Sequence, residues 1–164
     1  MEYVTGERKE GCVFCSAASD PQAPWVIFRG EKAFVMLNAY PYNSGHLLVV
    51  PYDHVPSIID LDAEVLCWVA RLTQAAMKSM ERCLRPAGFN IGINIGKVAG
   101  AGIAEHVHVH VVPRWEGDTN FMSVVADTRV VPEALQAAAA RLRPVLEQVC
   151  EEMGLEKRTG GEQL

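Results

Sequence analysis

The sequence lacks any apolar run approaching the ~18 to 20 residues that cross a bilayer, which excludes a membrane-spanning helix. Residues 1–11 are polar and charged, unlike a secretory leader, so a cytoplasmic location is expected. Positive charge is scarce as well. Against 20 Asp and Glu stand only 15 Lys and Arg, a net charge of −5 that offers no global attraction to nucleic acid or to an anionic membrane. Any anionic ligand must therefore be met by local groups. Cysteine occurs five times, an odd number without a dense framework, which argues against a disulfide scaffold and for a reducing compartment. Two of the five form Cys12-Val-Phe-Cys15, either free thiols or one half of a metal clip. Neither a repeat nor a low-complexity tract is present.

With 164 residues, 49% of them hydrophobic, the chain has the material for one self-sufficient core. We expect a single domain over residues 1–154 and a disordered tail over 155–164, where charged residues surround a glycine pair. Short apolar runs at 25–28, 33–37 and 46–50, separated by Gly, Asn, Asp and Pro, read as successive strands of an antiparallel meander. Val65, Leu66, Val69, Leu72, Ala76, Met80 and Leu84 recur near the helical period up to Pro86, predicting one long amphipathic helix. Alternation predicts further strands at 89–95 and 106–112, joined by the glycine-rich loop 96–102. A last helix is expected from about Pro132 to Met153, kinked or split by Pro144. Cys67, Cys83 and Cys150 fall in helical patterns and read as small core residues. The resulting fold class is α+β, an antiparallel sheet flanked by a long central helix and a C-terminal helix.

The chemistry concentrates in His106-Val-His-Val-His-Val-Val112. Alternation on a strand puts three imidazoles on one face, about 6.6 Å apart, and the valines on the other. With five histidines in the chain, that spacing arises by chance in roughly one shuffled sequence in several hundred, so the row is read as functional. His108 lies between two imidazoles that can hold it, supply protons and, when protonated, favour anions. Two ligands suit the row: a phosphate, which the preceding Gly96, Gly100 and Gly102 would approach with backbone N–H groups, or a zinc ion.

The motif resembles the signature of the histidine-triad family, and the resemblance runs from about residue 11 to 122, some two thirds of the chain. It takes in Cys12-Val-Phe-Cys15, Leu37-Asn38, Asn43-Ser-Gly-His-Leu-Leu-Val-Val-Pro51, Asn94 and the triad. Pro113-Arg-Trp115 with Gly117-Asp-Thr-Asn-Phe-Met122 is similar to the branch that includes fragile-histidine dinucleotide hydrolases and bacterial diadenosine tetraphosphate phosphorylases. The resemblance implies a homodimer and a nucleotide hydrolase or nucleotidyltransferase acting on diadenosine polyphosphates or related nucleoside phosphates.

In that family reading His108 attacks the α-phosphorus and becomes nucleotidylated, splitting the displacement into two steps. His110 contacts phosphate oxygens, His46 lies against the row, and the backbone carbonyl of His106 orients the nucleophile. Asn94 and the N–H groups near Gly102 and Ile103 hold phosphate oxygens, Asn38 the ribose hydroxyls, and Phe14, Phe28 and Leu37 are candidates for an apolar slot around the base. Many relatives carry Gln-Ser or Gln-Thr where this chain has Gly102-Ile103, which leaves backbone donors to assist the leaving group, with Lys97 either a solvated loop residue or a source of added positive charge. By the same resemblance Cys12, Cys15, His54 and His106 form a structural zinc site, and no organic cofactor is implied. Two alternatives stand beside the enzyme: a slow nucleotide-binding regulatory module, and a zinc-dependent hydrolase.

Overall fold

A computed structural model describes residues 11–118 and 134–158. The chain opens with helix α1 (Val13–Ser19), followed by strands β1 (Val26–Arg29), β2 (Ala33–Leu37) and β3 (Leu47–Pro51). Helix α2 (Ala63–Cys83) then leads to β4 (Gly88–Gly92), β5 (Val109–Arg114) and helix α3 (Leu135–Glu152). Every neighbouring pair in the sheet is antiparallel, in the order β1-β2-β3-β5-β4. The expected meander therefore holds for three strands, and β5 inserts between β3 and β4.

Parity divides the sheet into two faces. Leu47, Val49, Val107, Val109 and Val111 join Val65, Leu72, Met80, Leu142 and Leu146 in one core beneath α2 and α3. Leu48 and Val50 lie on the other face, with Phe34 and Phe14 of α1. Since period-two alternation sets the face, His46, His108 and His110 fall on the α1 side.

Several expected boundaries shift. Only Val109–Arg114 pairs as a strand: the ladder between β3 and β5 ends at Val49 and Val109, and the Val107 N–H donates instead to the Val55 carbonyl at 2.8 Å. His106 and His108 keep the alternation without belonging to the ladder. The strand expected at 89–95 stops at Gly92, and the glycine-rich loop contains a short turn of 3₁₀ helix at Lys97–Ala99, bounded by Gly96 and Gly100 at φ 81° and 85°. Helix α3 runs through Pro144 without a break. Pro144 faces solvent, and the burial of Leu142 and Leu146 on either side compensates for the lost hydrogen bond. Pro132 lies outside the described residues.

Two further expectations are corrected. Cys67 is exposed and Cys83 half-buried, so of the three helical cysteines only Cys150 is a core residue. The tail is ordered at its start: Leu155 is 3% exposed in the main core. Lys157 bridges Gly30, and the Arg158 N–H donates to the Arg29 carbonyl at 3.0 Å. The Arg158 guanidinium lies 4.4 Å from the Tyr52 ring centroid. One apolar residue and an open strand edge suffice to dock this short segment. Among the described residues no helix is long and apolar enough to cross a membrane.

Candidate active site

Backbone groups, two to 55 residues away in sequence, hold His46, His106 and His108, and they decide which ring nitrogen carries hydrogen. His108 Nδ1 lies 2.9 Å from the His106 carbonyl oxygen, which can only accept. The Nδ1–H is therefore spent there, and Nε2 keeps its lone pair, as a nucleophile requires. His106 Nε2 donates to the Pro51 carbonyl at 2.9 Å, leaving its Nδ1 as an acceptor.

His46 shares the tautomer of His106 and is opposite in sense to His108. Its Nδ1 accepts the Tyr42 N–H at 3.1 Å, with the Asn38 amide 3.4 Å away. Its Nε2–H accordingly points at His110 Nδ1, 3.0 Å distant, and His110 presents Nε2–H outward. One ring thus offers a lone pair and its neighbour a donor, with the centroids of His108 and His110 4.8 Å apart. That is the pairing needed to attack phosphorus while bonding to its oxygen.

Burial disfavours the protonated form of the row, the form in which the imidazoles would attract anions by charge. His46 is fully buried and is pushed down to about 3, first by desolvation and then by His110 and His108. Desolvation, followed by His108, lowers His110 to about 4. His108 is also lowered by burial, partly offset by its bond to the His106 carbonyl. Oriented N–H donors, rather than full charges, are what the row offers an anion.

Of the proposed base-slot residues, Phe14 alone belongs here, with its ring 4.7 Å from His108 and 5.3 Å from His106. Phe28 and Leu37 lie in the core on the opposite face. A bulge between Val26 and Phe28 and the parity of β2 send them beneath the helices. Ile103 packs with the cluster around Phe14, and Gly102 is exposed in the loop before it. Asn94 donates to the Gly100 carbonyl at 3.3 Å and lines, with His110, a cleft of about 370 Å³. Lys97 is exposed on the 3₁₀ turn.

Tyr42 is a site residue that pattern reasoning missed: its ring lies 4.8 Å from His46 and 5.9 Å from His110, nearly parallel to the latter. The available signal was an aromatic in the polar turn just before His46. Asp118 was missed as well. It takes two hydrogen bonds from Arg114 at 2.6 Å, one from Asn43 at 2.9 Å and one from the Trp115 N–H at 3.0 Å, tying the end of β5 to the turn before β3. The Arg114 guanidinium and these donors hold its carboxyl down at about 2.

Cys12, Cys15, His54 and His106 converge, their ligand atoms all within 4.8 Å of one another. Cys12 and Cys15 Sγ stand 3.3 and 3.6 Å from His106 Nδ1, and Cys15 Sγ stands 3.2 Å from His54 Nδ1. Tetrahedral zinc, with bonds of about 2.3 Å to sulfur and about 2.0 Å to nitrogen, separates S from N by about 3.5 Å, so the donor set fits the ion. Burial and the adjacent Cys12 push the Cys15 thiol up, a crowding that a divalent cation would relieve. The Pro51 carbonyl already aims His106 Nδ1 into this cluster, the outer support such ligands need.

Residues 17–117 match the model of the HIT domain family, and the chain belongs to that family. Over 111 residues it is 45% identical to proteins from two strains of Mycobacterium tuberculosis named AP-4-A phosphorylase, a match covering 68% of this chain and 57% of theirs. The chain thus spans less than two thirds of those relatives. A bis(5'-adenosyl)-triphosphatase of Dictyostelium discoideum is 29% identical over 137 residues, 76% of this chain and 91% of that protein. Among solved structures, a Zn-bound histidine triad family protein from Mycobacterium smegmatis superposes with a TM-score of 0.71 at 32% identity, covering 87% of this chain and 97% of that one. A hypothetical histidine triad nucleotide-binding protein from Sulfolobus tokodaii gives 0.72 at 25% identity, with 90% and 100% covered.

Proposed function

We propose that the chain cleaves diadenosine polyphosphates at the α-phosphate through a nucleotidyl-His108 intermediate. The observation that carries this reading is the opposed tautomers of His108 and His110. In the first step the His108 Nε2–phosphorus bond forms as the bond to the bridging oxygen breaks, and the remaining nucleotide departs with that electron pair. His110 Nε2–H bonds a phosphate oxygen as charge builds there. Asn38 takes the ribose hydroxyls, Phe14 borders the base, and Asn94 with the N–H groups of Gly102 and Ile103 completes the phosphate cradle. In the second step water or inorganic phosphate releases the nucleotide; the name of the mycobacterial relatives favours phosphate.

Cys12, Cys15, His54 and His106 hold a structural zinc that pins α1, and so Phe14, against the histidines. Four protein donors leave no open position for a zinc-bound water, which sets this reading above the zinc-dependent hydrolase. The protein functions as a homodimer. β4 is an edge strand with exposed Ile91, and such an edge is a ready template for pairing. Five cysteines without a disulfide support the reducing cytoplasm as its location.

The test is mass spectrometry of products from diadenosine tetraphosphate with and without phosphate. ADP plus ATP marks phosphorolysis and AMP plus ATP hydrolysis. No cleavage under either condition, together with tight AMP binding, would establish the slow regulatory module instead.

A further inference from the structure

The cleft of about 370 Å³ beside His110 takes part in the steps above only through His110 and Asn94 on its wall. Its place in the sheet says which part of a substrate it can meet. Asn38, the ribose contact, follows β2, while His110 lies on β5 opposite Gly92 of β4. In the order β2-β3-β5-β4 the cleft is therefore on the far side of the histidines from Asn38. Three inter-strand steps separate β2 from β4, about 14 Å. A substrate with its ribose at Asn38 and its α-phosphate over β5 must lay its leaving half across β4.

The walls suit a nucleoside rather than more phosphate. Tyr42 closes one side with a ring that is backed by His46 and His110 yet 64% exposed. Asn90 shares the cleft face with Val112, its cross-strand partner. Its Oδ1 accepts from Arg114 Nη1 at 2.6 Å, which turns its two amide hydrogens away from the guanidinium. Arg114 is itself fixed by Asp118, so its charge is balanced in the pair and its plane is held. A supported aromatic face beside oriented amide and guanidinium donors is the chemistry that stacks and reads a base or ribose. The volume is within the range of small-molecule sites.

Resting on the diadenosine polyphosphate reading above, we propose that this cleft is the subsite for the leaving nucleoside, with Tyr42 as its stacking surface and Asn90 and Arg114 as its polar contacts. The site then distinguishes dinucleoside polyphosphates from mononucleotides with the same phosphate chain.

The test compares kcat/KM for diadenosine tetraphosphate and for adenosine tetraphosphate, which lacks the second nucleoside. Wild type prefers the dinucleotide, and Asn90→Leu and Tyr42→Leu each lower the ratio of the two values about tenfold, as loss of one stacked or hydrogen-bonded base would. Asn90 and Tyr42 are both exposed, so neither substitution empties the core, and the Tyr42 N–H that holds His46 survives substitution, so two independent variants report. If both substrates are cleaved and the ratio is the same in all three proteins, the subsite is wrong and the nucleotidyl-His108 reading stands. Cleavage of neither substrate by wild type overturns both.

Discussion

His108 Nδ1 stands 2.9 Å from the carbonyl oxygen of His106, two residues before it. The contact gives His108, the proposed nucleophile, its orientation and tautomer from the main chain, so no side chain is needed for that task, and the His106 side chain is left to face the cysteines.

Replacing the proposed nucleophile should abolish turnover. His108→Ala is expected to lower kcat for diadenosine tetraphosphate by on the order of 10³ or more, with AMP still bound. Wild-type protein quenched during turnover should carry one AMP per active site, read by intact mass. Turnover surviving in His108→Ala would sink the covalent mechanism.

In the proposed mechanism His46 is a positioning residue, because it contacts His110 and would act on substrate only through that ring. His46→Leu removes the donor that sets the His110 tautomer and should lower kcat by about 10- to 100-fold, the usual range for outer supports, with KM little changed. Gln at this position can donate an amide hydrogen and should restore part of kcat. Equal rates in the Leu and Gln variants would exclude the relay.

Metal removal should act on stability before chemistry. Protein purified with zinc should contain about one ion per chain by elemental analysis, and Cys12→Ala or Cys15→Ala should lose it. Chelation should lower Tm at concentrations where the initial rate at low temperature persists. Metal-free protein with the same Tm would refute a structural role.

Acid should weaken the fold through His46 and His110. Both are lowered by burial from an ordinary 6.5, to about 3 and about 4, so as pH falls the unfolded chain takes up these protons first. Their contribution to stability is complete above pH 6.5 and declines as pH drops to about 4 for His110 and to about 3 for His46. Thermal melts over this range should show a steeper fall in Tm for wild type than for the His46→Gln/His110→Gln double variant. Parallel curves would contradict the assignment.

Gly45 places His46. Its φ is +80°, and a Cβ there would stand 2.6 Å from Leu84 Cδ1. Gly45→Ala should cost at least about 1 kcal/mol from the left-handed backbone alone, measured by urea unfolding, and should reduce kcat. An unaltered unfolding midpoint would show that the turn relaxes without penalty.

Much of this was legible in the residues themselves. Alternation in 106–112 announced the histidine row, and apolar periodicity announced α2 and three strands, because local pattern and side-chain direction are tied by backbone geometry. Family resemblance supplied His46 and His54, which no local rule singles out. The sequence by itself determined which residue types were available for chemistry and which residues had to share a face. Tertiary structure decided the rest. A bulge in β1 and the parity of β2 sent Phe28 and Leu37 to the opposite core. The carbonyl of Pro51, 55 residues from His106, and the N–H of Tyr42 at His46 selected the ring tautomers. Burial of four imidazoles together left them uncharged. Tautomer and charge depend on which groups surround a ring in space, and chain folding alone brings those groups together.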